Sequence, residues 1–575
     1  MTRLHMFFRR FFLPIIITMI FLFGSFLRLN RLAEVPVQVY WDGAAFSYNS
    51  YSILHTGRDE YGIFMPILFR SFNDYKMPGN IYLSVIPVAI FGLNAFSTRF
   101  TTSFFGSLAV LVGYFLFREL FLLNELFTND EKKHKHFAFV LDKKFGIGVA
   151  IFGMLLFAIS PWAIQFSRAE FEANVGMFFV VTGGMFLLRF IRIKNFRSIL
   201  LSMISFGVSF YMYRSILIFA PLLIVGLYFI FRGEILKQKK YFVIGFLVLL
   251  AIALPFVPVI LSPQGMIRSN QVGIQNNSFD AFYQAAKQQQ QAGNTMLSKI
   301  MYNRRLVLAK IFVGNYLSHF SPDYLFFNGD ANGRHGPRNM GILYVWEIPF
   351  VLFGLFLLFK MTGPVRNTIL LWILLAPLPA AVTVPTPHAL RTLNMLPMPM
   401  LITAFGVVGT YWLVKSFWKK VFVVVMVVVV SGFFIAYLQN YYGFSARVTS
   451  ADWADGYKQL MHYVMPRENN YDRIVISGHY WNPYIFALYY KRYDPEKYQQ
   501  SGSRSGFGKY LFGGTKWEAG EHELEGVNIE AWAKSNNILV ALSPEEYPSQ
   551  KANIHELTTI YNHNDDLVFI VGEIK

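Results

Sequence analysis

Asp42 is the first residue of the chain whose type and position suggest chemistry. It follows the first long apolar stretch by about a dozen residues, and ionisable groups kept next to a membrane span are functional candidates by default. A carboxylate there can accept a proton as a general base. Aspartate is also a favoured N-cap residue, and an aromatic-rich stretch with helical spacing follows it. From spacing alone, both roles stay open for Asp42.

Lys76 is the second candidate, because it precedes an apolar stretch at the level expected for lipid headgroups. An ammonium at that depth can bind a phosphate, and Tyr75 beside it is a candidate substrate contact. A lysine whose chain reaches along apolar surface to the interface would give the same pattern.

Residues 160–174 connect two apolar stretches and contain Arg168, Glu170 and Glu172 in a short turn. Arg168 is a candidate for binding a donor phosphate. If a helix has already begun at Arg168, it and Glu172 are spaced i,i+4 and would form an ion pair. A structural ion pair is therefore the alternative to a functional role.

Arg391 and His388 lie in a proline-rich turn between two later apolar stretches. A guanidinium is a permanently charged planar fork that suits a phosphate, and His388 can support it, although an arginine capping a helix would look the same. Arg334 and His335 form a weaker substrate-binding pair in a glycine-rich loop. His134 and His136 lie among lysines without further ligands, so no metal site is expected there.

The elements that must position these residues are membrane helices. The 575 residues are 54% hydrophobic and only 15% charged, against about a quarter charged in soluble domains. We expect an all-α polytopic membrane protein with about 11 transmembrane helices plus interfacial helices, and a small C-terminal α/β domain outside the cytoplasm. The expected spans are 11–29, 100–122, 146–166, 174–193, 198–214, 216–232, 241–261, 343–361, 367–383, 393–414 and 421–438.

Basic residues between the spans set the expected orientation. The net charge of +18 is dispersed among short loops, as topogenic charges are, which argues against nucleic-acid binding. Placing these clusters in the cytoplasm puts the N-terminus inside, makes 81–96 an interfacial or re-entrant helix, and puts the tail outside. The clusters lie before the first span and at Lys132, Lys133, Lys135, Lys143, Lys144, Arg189, Arg192, Lys194, Arg197, Arg232, Lys237, Lys239, Lys240, Lys415, Lys419 and Lys420.

This orientation divides the chain into a transmembrane domain, 1–439, and an extracytoplasmic domain, 440–575. Two outer loops, 30–99 and 262–342, belong to the first domain. The stretch after Asp42 is expected to form an amphipathic helix along the membrane, and 328–338 to be irregular. In the tail, 453–464 and 483–490 read as helical, and 473–476, 538–542 and 567–571 as strands.

Several motifs together resemble a known family. They are WDGAAFSYNSYSILHTGRDEYG at 41–62, FNDYKMPG at 72–79, FGLNAFSTR at 91–99, the turn at 160–174, and PHALR at 387–391. The set resembles bacterial relatives of protein O-mannosyltransferases and of the lipid A aminoarabinose transferase, which are members of the GT-C superfamily of membrane glycosyltransferases. The similarity covers most of the first 440 residues.

The resemblance implies transfer of a sugar, with inversion, from a polyprenyl-phosphate-linked donor to an acceptor outside the membrane. It assigns Asp42 as the catalytic base, Lys76 as the lysine of a Lys-Pro-Pro pattern (here Lys-Met-Pro), and Glu172 as an acidic position of the second loop. The family usually has Asp-Glu where this chain has Asp42-Gly43. The second carboxylate is then dispensable, supplied by Glu172, or lost together with activity.

Two further functions remain open at this point: a flippase for lipid-linked sugars, and a pseudoenzyme that binds glycolipid without turnover. A flippase would favour charges at mid-membrane and inverted repeats, whereas these candidates cluster at the outer ends of spans. Membrane lipids and the donor are the expected partners, and the acceptor is a protein, a lipid or a polysaccharide. No cofactor follows from the sequence, and assistance by a divalent metal stays open.

Overall fold

The structure is a computed structural model that describes residues 3–127, 142–480, 482–513 and 537–574, except for the side chains of 3–11, 549–550 and 553. Lys132, Lys133, Lys135, His134 and His136 lie outside the described residues. The chain folds into two units. The first contains residues 1–30, 102–167 and 171–437, and the second contains 31–101, 168–170 and 438–575.

The apolar stretches form the helices of the first unit. Capping side chains begin several of them: Asp142 accepts the backbone N–H of Lys144, and Asn195 accepts that of Arg197. The main helices that lie in this unit or extend from it are Arg3–Leu29, Ala95–Phe127, Lys143–Ile159, Pro161–Arg168, Glu172–Ile193, Phe196–Ser209, Ile216–Ile230, Lys239–Ala253, Pro263–Val272, Phe279–Gln291, Met296–Met301, Arg304–Ser318, Ile348–Lys360, Pro364–Leu375, Pro397–Leu413 and Ser416–Gln439.

Seven helical segments of the described residues are long and apolar enough to cross a membrane, and an eighth results if the bent pair Lys143–Ile159 and Pro161–Arg168 is one span. The expected spans at 198–214 and 216–232 are shorter apolar helices, and the expected interfacial segment 81–96 overlaps the helix Gly79–Phe91. The seven are Phe12–Leu29, Ala95–Phe127, Glu172–Ile193, Lys239–Ile260, Pro364–Ala381, Leu393–Leu413 and Ser416–Val448. The total of about eleven spans and their sidedness stay predictions.

The loop 262–342 contains helices that the sequence analysis did not anticipate. Its first part folds into four helices, from Pro263–Val272 to Arg304–Ser318. The stretch 328–338 contains neither helix nor strand, which confirms its irregular prediction. Turn-forming glycine, asparagine and proline residues explain this conformation.

The second unit combines the chain's tail with residues 31–101. A mixed sheet has the strand order β4-β5-β3-β6-β8-β7. β3 lies parallel to β5 and β6, and the other neighbouring pairs are antiparallel. A separate antiparallel hairpin joins β1 to β2. The strands are β1 Phe69–Ser71, β2 Asp74–Lys76, β3 Arg473–Ile476, β4 Gly506–Phe507, β5 Tyr510–Phe512, β6 Ile538–Leu542, β7 Ile554–Tyr561 and β8 Leu567–Ile574.

The helix Trp41–Thr56 confirms the helix expected after Asp42, but the amphipathic prediction was wrong. Its residues from Gly43 to Ser50 are buried without a solvent face. Gly79–Phe91 and the tail helix Pro483–Lys491 both pack against it, so the helix is covered on more than one side. The hydroxyl of Tyr48, for example, donates to the carbonyl of Tyr493 at 3.2 Å. The small and hydroxylated residues of the helix Trp41–Thr56 suit a helix that is surrounded by protein.

Candidate functional site

The structure brings Asp42 and Lys76 together in the second unit. The Lys76 ammonium lies 3.0 Å from a carboxylate oxygen of Asp42 and 3.4 Å from one of Asp74. The side chain of Asp42 is 30% exposed and that of Lys76 is 17% exposed, so the pair is accessible. Two residues chosen independently from separate motifs therefore form one charged group.

Two short elements hold this pair in place. Asp42 is the second residue of the helix Trp41–Thr56, whose N-cap is Tyr40, so Asp42 does not occupy the capping position that was one of the two roles left open for it. A carboxylate in the first helical turn is still stabilised by the helix dipole. Lys76 ends strand β2. Tyr75 precedes it in the same strand, where successive side chains alternate between faces.

The tail supports the loop that leads into β2. The guanidinium of Arg504 donates to the side-chain oxygens of Asn73, at 2.9 Å, and of Asn482, at 3.1 Å. It also lies 6.0 Å from the centre of the Phe72 ring. The tail therefore fixes the chain immediately before Asp74 and Lys76.

Glu170 occupies the space beside Gly43. A Cβ atom added to Gly43 would lie 2.5 Å from Cγ of Glu170, which is too close for real atoms. The Glu170 carboxylate is buried and accepts a hydrogen bond from Arg99 Nε at 2.8 Å. Arg99 also donates to the carbonyls of Leu32, Pro36 and Gln38. A carboxylate from another segment thus lies where the side chain of residue 43 would begin.

Arg168 is fully buried and is engaged within the protein. Its Nη2 donates to the carbonyl of Val35 at 3.1 Å, and its Nε donates to the hydroxyl of Tyr441 at 3.3 Å. Its guanidinium also lies 5.2 Å from the ring centre of Tyr442. These contacts favour a role in holding the chain between the first helix and Tyr40.

Glu172 is the first residue of the helix Glu172–Ile193 in the first unit. The preceding helix ends at Arg168, so the two residues do not share a helix and the condition for an i,i+4 ion pair between them is not met. Phe171, in extended conformation, is the N-cap that separates the helices.

A second cluster lies in the first unit and contains Asp330, His335 and His388. Nδ1 of His335 lies 2.5 Å from Oδ2 of Asp330, and Nδ1 of His388 lies 4.0 Å from the same oxygen. The imidazole rings are 4.8 Å apart between centres. One donor atom from each of the three side chains lies within 4.8 Å of the others, close enough to surround a metal ion after a small contraction.

Burial governs the ionisation of this cluster. It lowers the pKa of His335, partly opposed by Asp330, and it lowers the pKa of His388, with the same effect from His335 and Arg391. Burial opposes ionisation of Asp330, but His335 and backbone N–H groups outweigh it and lower the pKa of that carboxyl. The expected state is an ionised carboxylate beside neutral imidazoles.

Arg391 lies three residues after His388 in the same turn and is mostly buried. Its Nη1 donates to Oγ1 of Thr383 at 2.8 Å and to the carbonyl of Val384 at 2.9 Å. The backbone N–H of Arg391 points to Nδ1 of His388 at 3.4 Å. Arg334 is half-buried, and its carbonyl accepts a hydrogen bond from Gln165.

The sequence analysis did not identify Asp330, His319, Arg99 or the role of Glu170. His319 accepts the backbone N–H of His388 at 3.1 Å although 69 residues separate them. The only available signal for Asp330 was its place five residues before His335 in a turn-rich stretch. Contacts between segments that are distant in the chain produce no local spacing pattern in the sequence.

Comparison with known proteins relates part of the chain to a family and its fold to a solved structure. A family model described as dolichyl-phosphate-mannose-protein mannosyltransferase matches residues 138–258. The solved structure of ArnT from Cupriavidus metallidurans in the apo state matches with a TM-score of 0.50 at 10% identity, covering 97% of each chain. The family model confirms the resemblance to membrane glycosyltransferases over the residues that it matches, and the ArnT structure shows a similar fold.

Two further structures have similar scores. ArnT from the same organism bound to undecaprenyl phosphate matches with a TM-score of 0.49 at 11% identity, covering 97% of each chain. The oligosaccharyltransferase AglB from Archaeoglobus fulgidus, in complex with an inhibitory peptide and a dolichol-phosphate, matches with a TM-score of 0.49 at 14% identity. That match covers 84% of this chain, which spans 64% of AglB. No curated protein sequence matches the chain.

Proposed function

We propose that the protein transfers a sugar from a polyprenyl-phosphate-linked donor to an acceptor on the outer side of the membrane. The observation that carries the proposal is the 3.0 Å contact between Asp42 and Lys76. These are the residues to which the motifs assign the base and the phosphate-binding cation. The partial match to a dolichyl-phosphate-mannose-dependent family supports a lipid-phosphate donor.

The proposed reaction is a single displacement with inversion at the anomeric carbon. A hydroxyl oxygen of the acceptor forms a bond to this carbon while the bond from carbon to phosphate oxygen breaks. The electron pair of the broken bond leaves with the polyprenyl phosphate, and Asp42 takes the hydroxyl proton. General-base catalysis of this kind contributes roughly 10²–10⁴-fold.

Lys76 stabilises the negative charge on the departing phosphate. An ammonium has three donors, so contact with carboxylates is compatible with binding a phosphate oxygen as well. Release of a phosphate dianion is the point at which a preorganised cation lowers the barrier most. Asp74 supports Lys76 from within the same strand.

The other candidate site residues are retained or left out of the proposal according to their contacts in the structure. Arg391 remains a proposed donor-phosphate residue, with His388 supporting it, because the contacts of its Nη1 hold the guanidinium in one orientation. Arg168 is left out, since its side chain is completely buried and its Nε and Nη2 serve a tyrosine and a backbone carbonyl. Glu172 remains a candidate for the second carboxylate, and Glu170 joins it through its position beside Gly43.

Replacing Asp42 tests the proposal. The full chain is reconstituted in vesicles with radiolabelled polyprenyl-phosphate sugars and candidate acceptors, and transfer, binding and movement across the bilayer are measured separately. We expect Asp42→Asn to fold and bind donor but to transfer roughly 10²–10⁴-fold more slowly, because an amide cannot accept the proton.

Asp494→Asn is the matched control. Asp494 caps the helix Pro495–Ser501, and asparagine caps about as well as aspartate, so this variant should transfer normally. Donor movement without transfer would identify a flippase instead, and donor binding without either would identify a pseudoenzyme. Normal transfer by Asp42→Asn would remove Asp42 as the base, and the search would move to Glu172.

A further inference from the structure

We propose that Asp330, His335 and His388 form a binding site for a divalent transition-metal ion such as zinc. The site shares no residue with the charged group of Asp42 and Lys76, and the inference does not depend on the proposed sugar transfer. Its basis is the convergence of one carboxylate and two imidazoles from two distant segments of the first unit.

The geometry is near that of a metal centre. Ligands about 2.0 Å from a tetrahedral zinc ion lie roughly 3.3 Å apart, whereas the present donor atoms lie within 4.8 Å of one another. The widest separation would have to shrink by about 1.5 Å, and His335 Nδ1 and Asp330 Oδ2, which lie 2.5 Å apart, would have to separate by about 0.8 Å. A cavity of about 20 Å³ borders Asp330 and His335, which is room for about one water molecule as a further ligand.

The type of ligand selects the type of metal. Two imidazoles and one carboxylate suit zinc and other late transition metals, whereas magnesium and calcium prefer oxygen ligands throughout. The ionised Asp330 offsets part of the ion's charge, and Arg334 and Arg391 nearby oppose the binding of a cation. Because of its two imidazoles, the site should therefore bind zinc in preference to magnesium or calcium.

Surrounding groups orient the three ligands. His319 accepts the backbone N–H of His388, and Asp330 accepts the backbone N–H groups of Ala389 and Asn332, at 2.8 and 2.7 Å. The ring of His335 packs 5.5 Å from that of Phe166, between centres. Contacts of this kind fix ligand orientation in protein metal sites.

A bound ion would join the loop 328–342 to the turn 382–392. His388 lies in the same turn as Arg391, and its ring nitrogen already faces the Arg391 backbone. The ion would therefore act as a positioning element for the guanidinium of Arg391, without contact to the reacting atoms.

Metal content is the direct test. The full chain, purified with a histidine-free tag, is stripped with a chelator, incubated with zinc alone, desalted and analysed by mass spectrometry. We expect about one zinc per chain above the content of a His335→Asn/His388→Asn double variant, and a zinc-dependent rise in melting temperature that this variant lacks. Cobalt substitution should give a visible absorption band in the wild-type protein alone.

His55→Ala is the matched control, because His55 is exposed and lies in the second unit. It should retain the zinc and the shift in melting temperature. If the double variant fails to fold, Asp330→Asn replaces it and should weaken zinc binding at least tenfold. Equal zinc content in the wild-type protein and the ligand variants, or none in either, would overturn the proposal. These readouts use no sugar donor, so their failure is distinct from failure of the proposed transferase activity.

Discussion

Residue 43 must be a glycine because Glu170 fills the space beside it. Any side chain at this position would collide with Glu170, whose carboxylate is held by Arg99 in a buried ion pair. The related families place a glutamate directly after the aspartate, whereas this chain places a glutamate from residues 160–174 in the adjoining space. The sequence left the second carboxylate as dispensable, supplied by Glu172 or lost, and the position of Glu170 beside Gly43 adds Glu170 as a candidate.

An exchange of the two positions tests this interpretation. We expect Gly43→Glu alone to destabilise the protein by about 1–3 kcal/mol, because the new side chain overpacks a filled space. Glu170→Ala alone removes the partner of a buried arginine, a change that typically costs about 3–5 kcal/mol. The double variant should be more stable than the sum of the single effects predicts, as measured by thermal unfolding.

Additive losses in this double-mutant cycle would show that residues 43 and 170 do not share one space. Coupled neighbours typically differ from additivity by about 0.5–3 kcal/mol, which such a cycle resolves. The same variants can be assayed for transfer, which would show whether a carboxylate at either position supports activity.

Among the elements, the helices Ile348–Lys360 and Pro397–Leu413 approach each other through two glycines. A Cβ on Gly354 would collide with the carbonyl of Ile402, and one on Gly406 would collide with the carbonyl of Phe350. Membrane helices pack closely through small residues in this way, because lipid supplies no hydrophobic drive for their association. The reciprocal contact sets the distance between the two helices.

We expect Gly406→Ala to lower stability by about 1–3 kcal/mol, since a backbone carbonyl cannot move aside as a side chain can. Gly432→Ala is the control, because a Cβ at this helical position meets no atom within 4 Å. It should be neutral or slightly stabilising, as alanine favours helix more than glycine does. Equal melting temperatures for the two variants in detergent would contradict the close contact.

Another element-scale contact joins the β7–β8 turn to the segment before the helix Tyr457–Val464. Nδ1 of His563 lies 2.6 Å from Oδ2 of Asp455. The hydrogen bond to Asp455 raises the pKa of His563. Burial opposes ionisation of Asp455, but hydrogen bonds from His563 outweigh it and lower the pKa of that carboxyl.

These directions predict a pH dependence of stability. The raised pKa of His563 means that its contribution is fully present below the unfolded value of about 6.5 and is lost as pH rises through the folded value. The contribution of Asp455 is lost only as pH falls through its lowered pKa. The melting temperature should therefore fall more steeply from about pH 6 to pH 8 in the wild-type protein than in His563→Gln. Parallel curves would exclude this pair as a cause.

The sequence predicted the helices and strands better than it predicted which distant segments pack against them. Apolar runs identified the long apolar helices, and the buried strands β3 and β6 were predicted with the correct bounds. β7 was missed because its buried and exposed residues do not alternate regularly along the strand. The helix Trp41–Thr56 was expected at a membrane surface because a sequence does not show which distant segments will cover a helix.

The site was predictable to the extent that it is local. Asp42 and Lys76 each stand in a contiguous motif, and the family resemblance of these motifs suggested a base and a phosphate ligand, roles that stay predictions. The group of Asp330, His335 and His388 was not predictable, because it forms only when residues more than 50 positions apart in the sequence come together in the fold. His335 and His388 were singled out separately, without a reason to bring them together.

For the whole molecule, the positive-inside rule predicts that the tail lies outside the cytoplasm. The chain contains no cysteine, so single introduced cysteines report position without background. We expect Ser501→Cys, at the exposed end of a tail helix, to react with an impermeant maleimide in intact cells. Lys239→Cys should react only after permeabilisation. The opposite pattern would invert the orientation and place Asp42 in the cytoplasm.

The second unit draws its residues from both ends of the chain, and this has a consequence for biosynthesis. Gln499 donates to the hydroxyl of Ser52 at 2.9 Å across 447 residues. At roughly 5–20 residues per second, the ribosome needs about 20–90 s to make the tail after the helix Trp41–Thr56 has emerged. During this interval the helix lacks its packing contacts with the tail and is accessible to chaperones and proteases. Truncations within residues 438–575 should therefore remove the segment that carries Asp42 by degradation, as well as the tail residues themselves.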